Sequence, residues 1–247
     1  MSLPKIRLER CIRENGGLWL LDKDQEKHLV RSLRSYEGAA VEGLLGDEEG
    51  GGRRIHMRLE RGEEGYFLRE IVALSEPREE PEITLLIGLL KPGQFDALLR
   101  SASELGVGSV LPVICERSVP RVAVSDIPKK IARWRKILDE GTAVSGSVYP
   151  PRISAPVKFG DIDWDALPEK RYAAVLSPGS RPISSVTRSA GRLVFAVGPE
   201  GDWSERESGT LISCGFVPVT LGRRILRAST AAIAGVAWFR LGETAGA

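Results

Sequence analysis

The sequence predicts an α/β protein in two parts: a small β-barrel-like domain with one helix, followed by a parallel sheet flanked by helices. Three observations carry this expectation. From residue 83 onward, short apolar runs alternate with amphipathic helical stretches, the pattern of a parallel sheet. From residue 6 to 74, short alternating segments are broken by turns, as half-buried strands are. Between them, 75–82 carries Pro77, Pro81 and four glutamates, a composition that suits neither a helix nor a central strand and reads as a linker. The expected boundaries are therefore 1–74, 75–82 and 83–247.

Length and composition narrow the function classes. The 247 residues can hold one large domain or two modest ones, and 42% hydrophobic with 28% charged residues is ordinary for a soluble globular protein. No apolar run approaches a membrane span, and the start, Met1-Ser2-Leu3-Pro4-Lys5, lacks the apolar core of a signal peptide. A cytoplasmic protein with no membrane partner is expected. Cys11, Cys115 and Cys214 are scattered without metal-ligand spacing, and His28 and His56 are the only histidines. A zinc site or a Ser-His-Asp triad is hard to build from these, and no metal is expected. A net charge of +2 does not by itself argue for nucleic acid, so any RNA-binding case rests on local patches.

In the N-terminal part, Gly16-Gly17 precede a strand at Leu18-Trp19-Leu20-Leu21, and 47–52 is an acidic, glycine-rich hairpin tip. Ile55-His56-Met57-Arg58-Leu59 and Tyr66-Phe67-Leu68-Arg69-Glu70-Ile71 alternate as strands do. Asp24 can cap a helix through His28, Leu29, Val30 and Leu33. Lys27, Arg31 and Arg34 recur on it at helical spacing, either a phosphate-contacting stripe or a solvated face. His28 is expected to pack or cap locally.

In the C-terminal part, 83–90 is a continuous apolar strand, followed by a helix with Phe95, Leu98, Leu99, Ala102 and Leu105 on one face. Gly106 suits the position that ends this helix, and 107–114 gives the next strand. Ser125 can cap a further helix with Ile127, Ile131, Trp134 and Leu138 on one side and Lys129, Lys130, Arg133, Arg135 and Lys136 on the other. That basic face is either solvated or contacts RNA, with Arg133 and Lys136 as the candidates. A loop at 145–153 contains Pro150-Pro151; 172–176 is a buried strand ending in Ser177-Pro178-Gly179.

The most informative stretch comes last. Leu193-Val194-Phe195-Ala196-Val197 reads as a buried strand that stops at Gly198-Pro199-Glu200-Gly201-Asp202-Trp203-Ser204. Ser204 with Glu207 forms a capping box and starts a helix. A strand at 216–221 follows, then Gly222-Arg223-Arg224-Ile225-Leu226-Arg227 and a helix from about 228 to 241. Glycine-rich loops thus leave the carboxyl ends of two strands, where open α/β sheets place ligands. Neither loop is a GxGxxG fingerprint or a phosphate-binding P-loop, and by spacing alone the glycines could simply shape turns.

Gly198-Pro199-Glu200-Gly201 together with Leu221-Gly222-x-Arg224-Ile225-Leu226-Arg227-x-x-Thr230-Ala231 resembles the paired signature of the SPOUT methyltransferases. Within these, the chain is most similar to the bacterial small-subunit ribosomal RNA uridine N3-methyltransferases. Lys91, Glu104-Leu105-Gly106-Val107 and Glu116-Arg117-Ser118 also fall where this family carries the same residue types, so the resemblance spans essentially the whole chain. It implies a deep trefoil knot in the C-terminal domain, a PUA-like RNA-binding domain at the N-terminus, and S-adenosylmethionine as cofactor. The cofactor would be held by Leu176 and Ser177, by Ala196, Val197, Gly198, Pro199, Glu200 and Gly201, and by Leu221, Gly222, Ile225, Leu226 and Thr230. Arg227 and Glu200 are the candidate catalytic residues. Arg227 would hold a substrate phosphate or an anionic base, or else pair with Glu200; Glu200 is the nearest carboxylate, though it could serve only to order the knot. The implied partners are ribosomal RNA or the small subunit and a second copy of the chain, pairing through the knot region. Ala231, Ala232, Ile233, Val236, Ala237 and Phe239 form the apolar surface expected to support that homodimer.

Three positions depart from the family pattern. Ser229 stands where relatives have Glu, and Val144 and Ser147 replace an amide and a guanidinium. Such side chains hydrogen-bond base edges or phosphates. The resemblance therefore implies RNA methylation at uridine N3, with a catalytically weak RNA-binding or ribosome-assembly factor as the alternative.

Overall fold

The computed structural model describes residues 3–8, 11–14, 16–46, 52–63, 65–77, 81–119, 123–177, 179–187 and 190–241. The hairpin tip expected at 47–52 falls, apart from Gly52, outside them, as does Pro178. The chain divides into two compact units, Met1–Arg78 with Thr142–Pro150, and Glu79–Gly141 with Pro151–Ala247.

The first unit is a mixed six-stranded sheet. Its strands are β1 (Lys5–Arg7), β2 (Ile12–Glu14), β3 (Leu18–Leu20), β4 (Ala40–Gly46), β5 (Gly52–Gly62) and β6 (Gly65–Ser75), in the order β1-β4-β5-β6-β3-β2. Only β1 and β4 run parallel; the other pairs are antiparallel. Alternation along β5 puts Ile55, Met57 and Leu59 on the buried face with Leu68 of β6, Val41, Trp19 and Leu29. Helix α1 (Lys23–Lys27) continues into a π-helical turn, His28–Ser32, which brings Leu29 onto the sheet. The cap is Asp22, not Asp24: its side chain accepts from the Gln25 N–H at 2.7 Å, and the Gln25 side chain closes a capping box by accepting from the Asp22 N–H at 3.0 Å. Asp22 wins because only that placement supplies both halves of the box. His28 is the C-cap, as a local role predicts.

The segment Thr142–Pro150 joins this unit through Arg54. The Arg54 guanidinium pairs with Glu42 and Glu76 at 2.9 Å each and donates to the Gly146 carbonyl at 2.8 Å. Partial burial opposes its charge, but the hydrogen bonds and attraction of the two glutamates prevail and raise its pKa.

The second unit is an all-parallel eight-stranded sheet. It contains β7 (Glu82–Gly88), β8 (Ser109–Ile114), β9 (Arg152–Ile153), β10 (Val157–Lys158), β11 (Lys170–Ala174), β12 (Arg181–Pro182), β13 (Arg192–Val197) and β14 (Val217–Thr220). The order is β10-β8-β7-β13-β11-β14-β12, with β9 also pairing β8. Strand β13 thus inserts between β7 and β11, and β14 returns on the far side of β11, so the order reverses within this region.

Both faces of the sheet are covered, which explains the continuous apolar strands. On one face Leu85, Ile87, Phe195 and Val197 pack with α2 (Pro92–Glu104), α3 (Ile127–Ser145) and α5 (Ala228–Arg240). On the other, Leu86, Val194 and Ala196 pack with Trp203 and with Leu211 of α4 (Glu205–Ser213). The Ser204–Glu207 capping box forms as expected. Gly106, at φ +70°, follows the Leu105 C-cap of α2. Ser125 does not cap α3 directly; it lies in a 3-10 turn, Val124–Asp126, that leads into the helix.

Helix α5 uses its apolar residues within the chain. Ala231, Ala232, Val236 and Phe239 are buried, Phe239 against Tyr172 and Phe195 with ring centroids at 5.1 and 5.7 Å. The surface expected to argue for pairing is therefore largely core, and of the six residues only Ile233 and Ala237 remain half-buried.

Candidate active site

The carboxyl ends of β11, β13 and β14 open into a cavity of about 440 Å³. This is within the range of small-molecule sites, ~300–1,000 Å³, and sits where the strand order reverses. Its floor is apolar: Val175, Val197, Val219, Leu226 and Ala231. Its rim carries Glu200 and Asp202 from the β13 loop, Arg224 and Arg227 from the segment before α5, and Gln94 from α2. The first turn of α5, with Ala228 and Ser229, closes one side. Arg227 is the N-cap of that helix and makes no side-chain cap, so unsatisfied N–H groups and the positive end of the helix dipole face this side.

The loop from Gly198 to Ser204 is fixed by its neighbours. Gly88 ends β7 directly beneath it: a Cβ there would lie 2.6 Å from Pro199 Cδ and 2.9 Å from Gly198 C, besides striking Pro199 N. The Glu200 carboxylate accepts from the Lys91 N–H at 3.1 Å. Arg117 donates through Nη1 to the carbonyls of Gly201 and Trp203, 3.3 Å each. The Trp203 indole N–H donates to Ala174 O at 3.1 Å, tying this loop to the end of β11. Glu207, almost wholly buried, accepts from the N–H groups of Ser204 and Glu116, both at 2.9 Å. Beneath lies the Cys115 thiol, which burial, and then the nearby Glu207 carboxylate, push up to a pKa of about 12.

Within this loop Asp202 has a positive φ of +59°. A left-handed conformation costs an ordinary residue about 1–2 kcal/mol, less for Asp. Its N–H donates to Pro199 O at 2.9 Å, and its own Oδ1 accepts from the Trp203 N–H at 2.8 Å.

The structure gathers many of the residues singled out by sequence. Leu176, Val197, Gly198, Pro199, Glu200, Leu221, Ile225, Leu226 and Arg227 all line the cavity. Leu176 and Ile225 are exposed there, at 62% and 81%. The others fall elsewhere. Ala196 is fully buried on the α4 face of the sheet, because successive strand residues point to opposite sides. Gly201 faces Arg117, whose Cβ would be 2.9 Å from an added Cβ. Ser177, Gly222 and Thr230 are exposed and outside the lining.

Arg227 forms no ion pair with Glu200 among the described residues. Lys27, Arg31 and Arg34 are exposed on the first unit. Arg133 is exposed but pairs with Asp96, and Lys136 is exposed. Of the three departures, Ser229 lines the cavity, Val144 is exposed at the end of α3, and the Ser147 hydroxyl accepts from the Tyr149 N–H at 3.1 Å.

Gln94, Asp202, Arg224 and the α5 residues Ala228 and Ala231 are lining residues that sequence reasoning did not name as site residues. Arg224 lies inside the second quoted motif and Asp202 directly follows the first, so both could have been read from the sequence; Gln94 comes from a separate helix and carries no local signal. Among the described residues no cluster of His, Cys, Asp and Glu could hold a metal, and no helix is long and apolar enough to cross a membrane.

Ribosomal RNA small subunit methyltransferase E of Synechocystis sp. is 30% identical over 84% of this chain and 67% of its own length. The crystal structure of a ribosomal RNA small subunit methyltransferase E from Neisseria gonorrhoeae, bound to S-adenosyl methionine, superposes with a TM-score of 0.81 at 27% identity, covering 96% of both chains. A methyltransferase of Legionella pneumophila, solved with its cofactor, shares the fold at a TM-score of 0.85 and 23% identity, covering 98% of both chains. Residues 78–240 match the RNA methyltransferase domain family, and the chain belongs to that family.

Proposed function

We propose that the protein transfers a methyl group from S-adenosylmethionine to ribosomal RNA of the small subunit, at N3 of a uridine. The observation that carries this reading is the cavity at the strand-order reversal, lined by side chains of both charges. Glu200 and Asp202 come from the loop after β13; Arg224 and Arg227 come from the segment that leads into the amino end of α5. A zwitterionic ligand with an apolar body fits such a site. The apolar floor would hold the adenosine, the α5 end and its arginines the carboxylate, and the acidic loop the cationic part. Relatives named ribosomal RNA small subunit methyltransferase E support the substrate class.

Bound S-adenosylmethionine supplies an electrophilic methyl group whose sulfur keeps the bonding electrons, while uridine N3 must lose its proton. The chain's own contribution is positioning and charge. The Gly198 and Pro199 backbone walls the site, held by Gly88, Arg117 and Trp203. Arg227, free of ion pairs among the described residues, would hold a substrate phosphate or the anionic base. The N-terminal unit serves as a PUA-like RNA-binding domain, with Lys27, Arg31 and Arg34 reaching phosphates and Arg133 and Lys136 adding contacts from α3. The insertion of β13 between β7 and β11, with β14 returning beyond β11, supports a trefoil knot. We also propose a cytoplasmic homodimer paired through this region, to be read from sedimentation at micromolar concentration.

A second reading, a ribosome-assembly factor of weak activity, draws on Val144, Ser147 and Ser229. Calorimetric titration with S-adenosylmethionine, followed by labelled-methyl transfer to undermodified small subunits, separates the two. Binding with transfer supports the enzyme; RNA binding without transfer supports the assembly factor.

A further inference from the structure

Two carboxylates line the cavity, each with one oxygen accepting from a backbone N–H, and they differ in backbone conformation. One oxygen of Glu200 is committed to the Lys91 N–H, so this residue fastens the loop to the start of α2. Asp202 is held in a conformation that glycine would adopt without strain. Its N–H is bonded to Pro199 O, and Arg117 grips the carbonyls of the residues on either side, Gly201 and Trp203. Oδ1 accepts from the Trp203 N–H, whereas Oδ2 has no protein partner among the described residues. Arg224 and Arg227 line the same cavity, yet neither forms an ion pair with it among the described residues. The backbone therefore bears strain at the position that puts a second carboxylate, its Oδ2 without a protein partner among the described residues, in the cavity wall. Strain kept at a ligand site in this way points to a functional side chain.

We propose that Asp202 is a specificity-determining residue that binds a cationic centre of the methyl donor, its sulfonium or its α-ammonium. The inference rests on the S-adenosylmethionine reading. The shared chemistry is one positive charge against one carboxylate in a partly enclosed site.

The experiment uses the full chain and two variants, Asp202→Gly and Asp202→Asn. Calorimetry gives the affinity for S-adenosylmethionine and for S-adenosylhomocysteine, which keeps the ammonium but is a neutral thioether; thermal melting is recorded without ligand. Asp202→Gly is expected to melt at a higher temperature than wild type, since the strain is gone, yet to bind S-adenosylmethionine about tenfold more weakly or worse, the scale of one charge-assisted hydrogen bond. Asp202→Asn keeps an oxygen for the Trp203 N–H and should lose comparable affinity with little change in melting. Loss confined to S-adenosylmethionine assigns the sulfonium; equal loss for both ligands assigns the ammonium. Wild-type affinity for both ligands in both variants overturns the inference and leaves the donor reading standing. So does loss in Asp202→Gly alone, which would mean a backbone role. Wild-type protein that binds neither ligand overturns the donor reading and this inference with it.

Discussion

Gly88→Ala tests the link between the sheet and the cavity. Gly88 is buried at the end of β7 and its φ lies outside the left-handed region, so alanine is tolerated by the backbone. The effect is then purely steric. The new methyl would sit 2.6 Å from Pro199 Cδ and 2.9 Å from Gly198 C, against an ordinary carbon contact of about 3.5–4.0 Å, so the loop must retreat by about 1 Å. Overpacking of this kind costs about 1–3 kcal/mol. Loss of unfolded-state freedom returns only about 0.4–1 kcal/mol, leaving a net loss near 1–2 kcal/mol in urea unfolding. The functional effect should be larger, because the displaced Gly198 and Pro199 line the cavity. A shift of this size can cost about 10²-fold in transfer rate. Urea titration, calorimetry with S-adenosylmethionine and single-turnover transfer are read side by side on the variant and wild type. If the variant binds and transfers like wild type, the loop does not rest on β7 and the derivation of the site from the sheet is wrong.

Other substitutions probe separate parts of the argument. Gly209→Ala lies at an exposed position of α4 with nothing within 4 Å of the added methyl, so it should raise stability by about 0.5–1 kcal/mol and leave cofactor affinity unchanged, measured by urea unfolding and calorimetry. Arg117→Ala should weaken S-adenosylmethionine binding through the freed Gly201 and Trp203 carbonyls; millimolar guanidinium restoring part of the affinity would distinguish loss of these hydrogen bonds from general unfolding. The Cys115 thiol, held near 12 in the fold against an ordinary value of 9.0, costs no stability below pH 9. Above it the unfolded chain loses the proton first, so stability should fall by about 1.4 kcal/mol per pH unit until the folded thiol ionises, a slope that Cys115→Ala removes. Restoring Val144→Gln, Ser147→Arg and Ser229→Glu together should speed methyl transfer at unchanged cofactor affinity; a triple variant no faster than wild type would make these departures neutral.

Local signals carried much of this fold. The apolar run at 193–197, the Ser204–Glu207 box and Gly106 each specify a structure through neighbours within a few residues, and each formed as read. Asp22 and Asp24 both precede the same helix, and choosing between them required the reciprocal Gln25 contact. The cavity was legible to the extent that its wall is contiguous in sequence, as at 197–200 and 224–227. Gln94, the Arg117 hydrogen bonds and the Gly88 contact join residues far apart in the chain, and no periodicity encodes them. Ala196, in the strand before the motif, and Gly201, at its end, point away from the cavity, because strand alternation and loop geometry send them to the α4 face and to Arg117. The apolar side of α5 was visible, but only the packing against Tyr172 and Phe195 revealed that the chain buries it itself.

The most direct measurement is nucleoside mass spectrometry of small ribosomal subunits lacking the modification, after incubation with the protein and isotopically labelled S-adenosylmethionine. The account predicts one labelled 3-methyluridine per subunit, with accumulation slowed about 10²-fold by Gly88→Ala. Subunits that bind the protein and its cofactor yet remain unlabelled would contradict it.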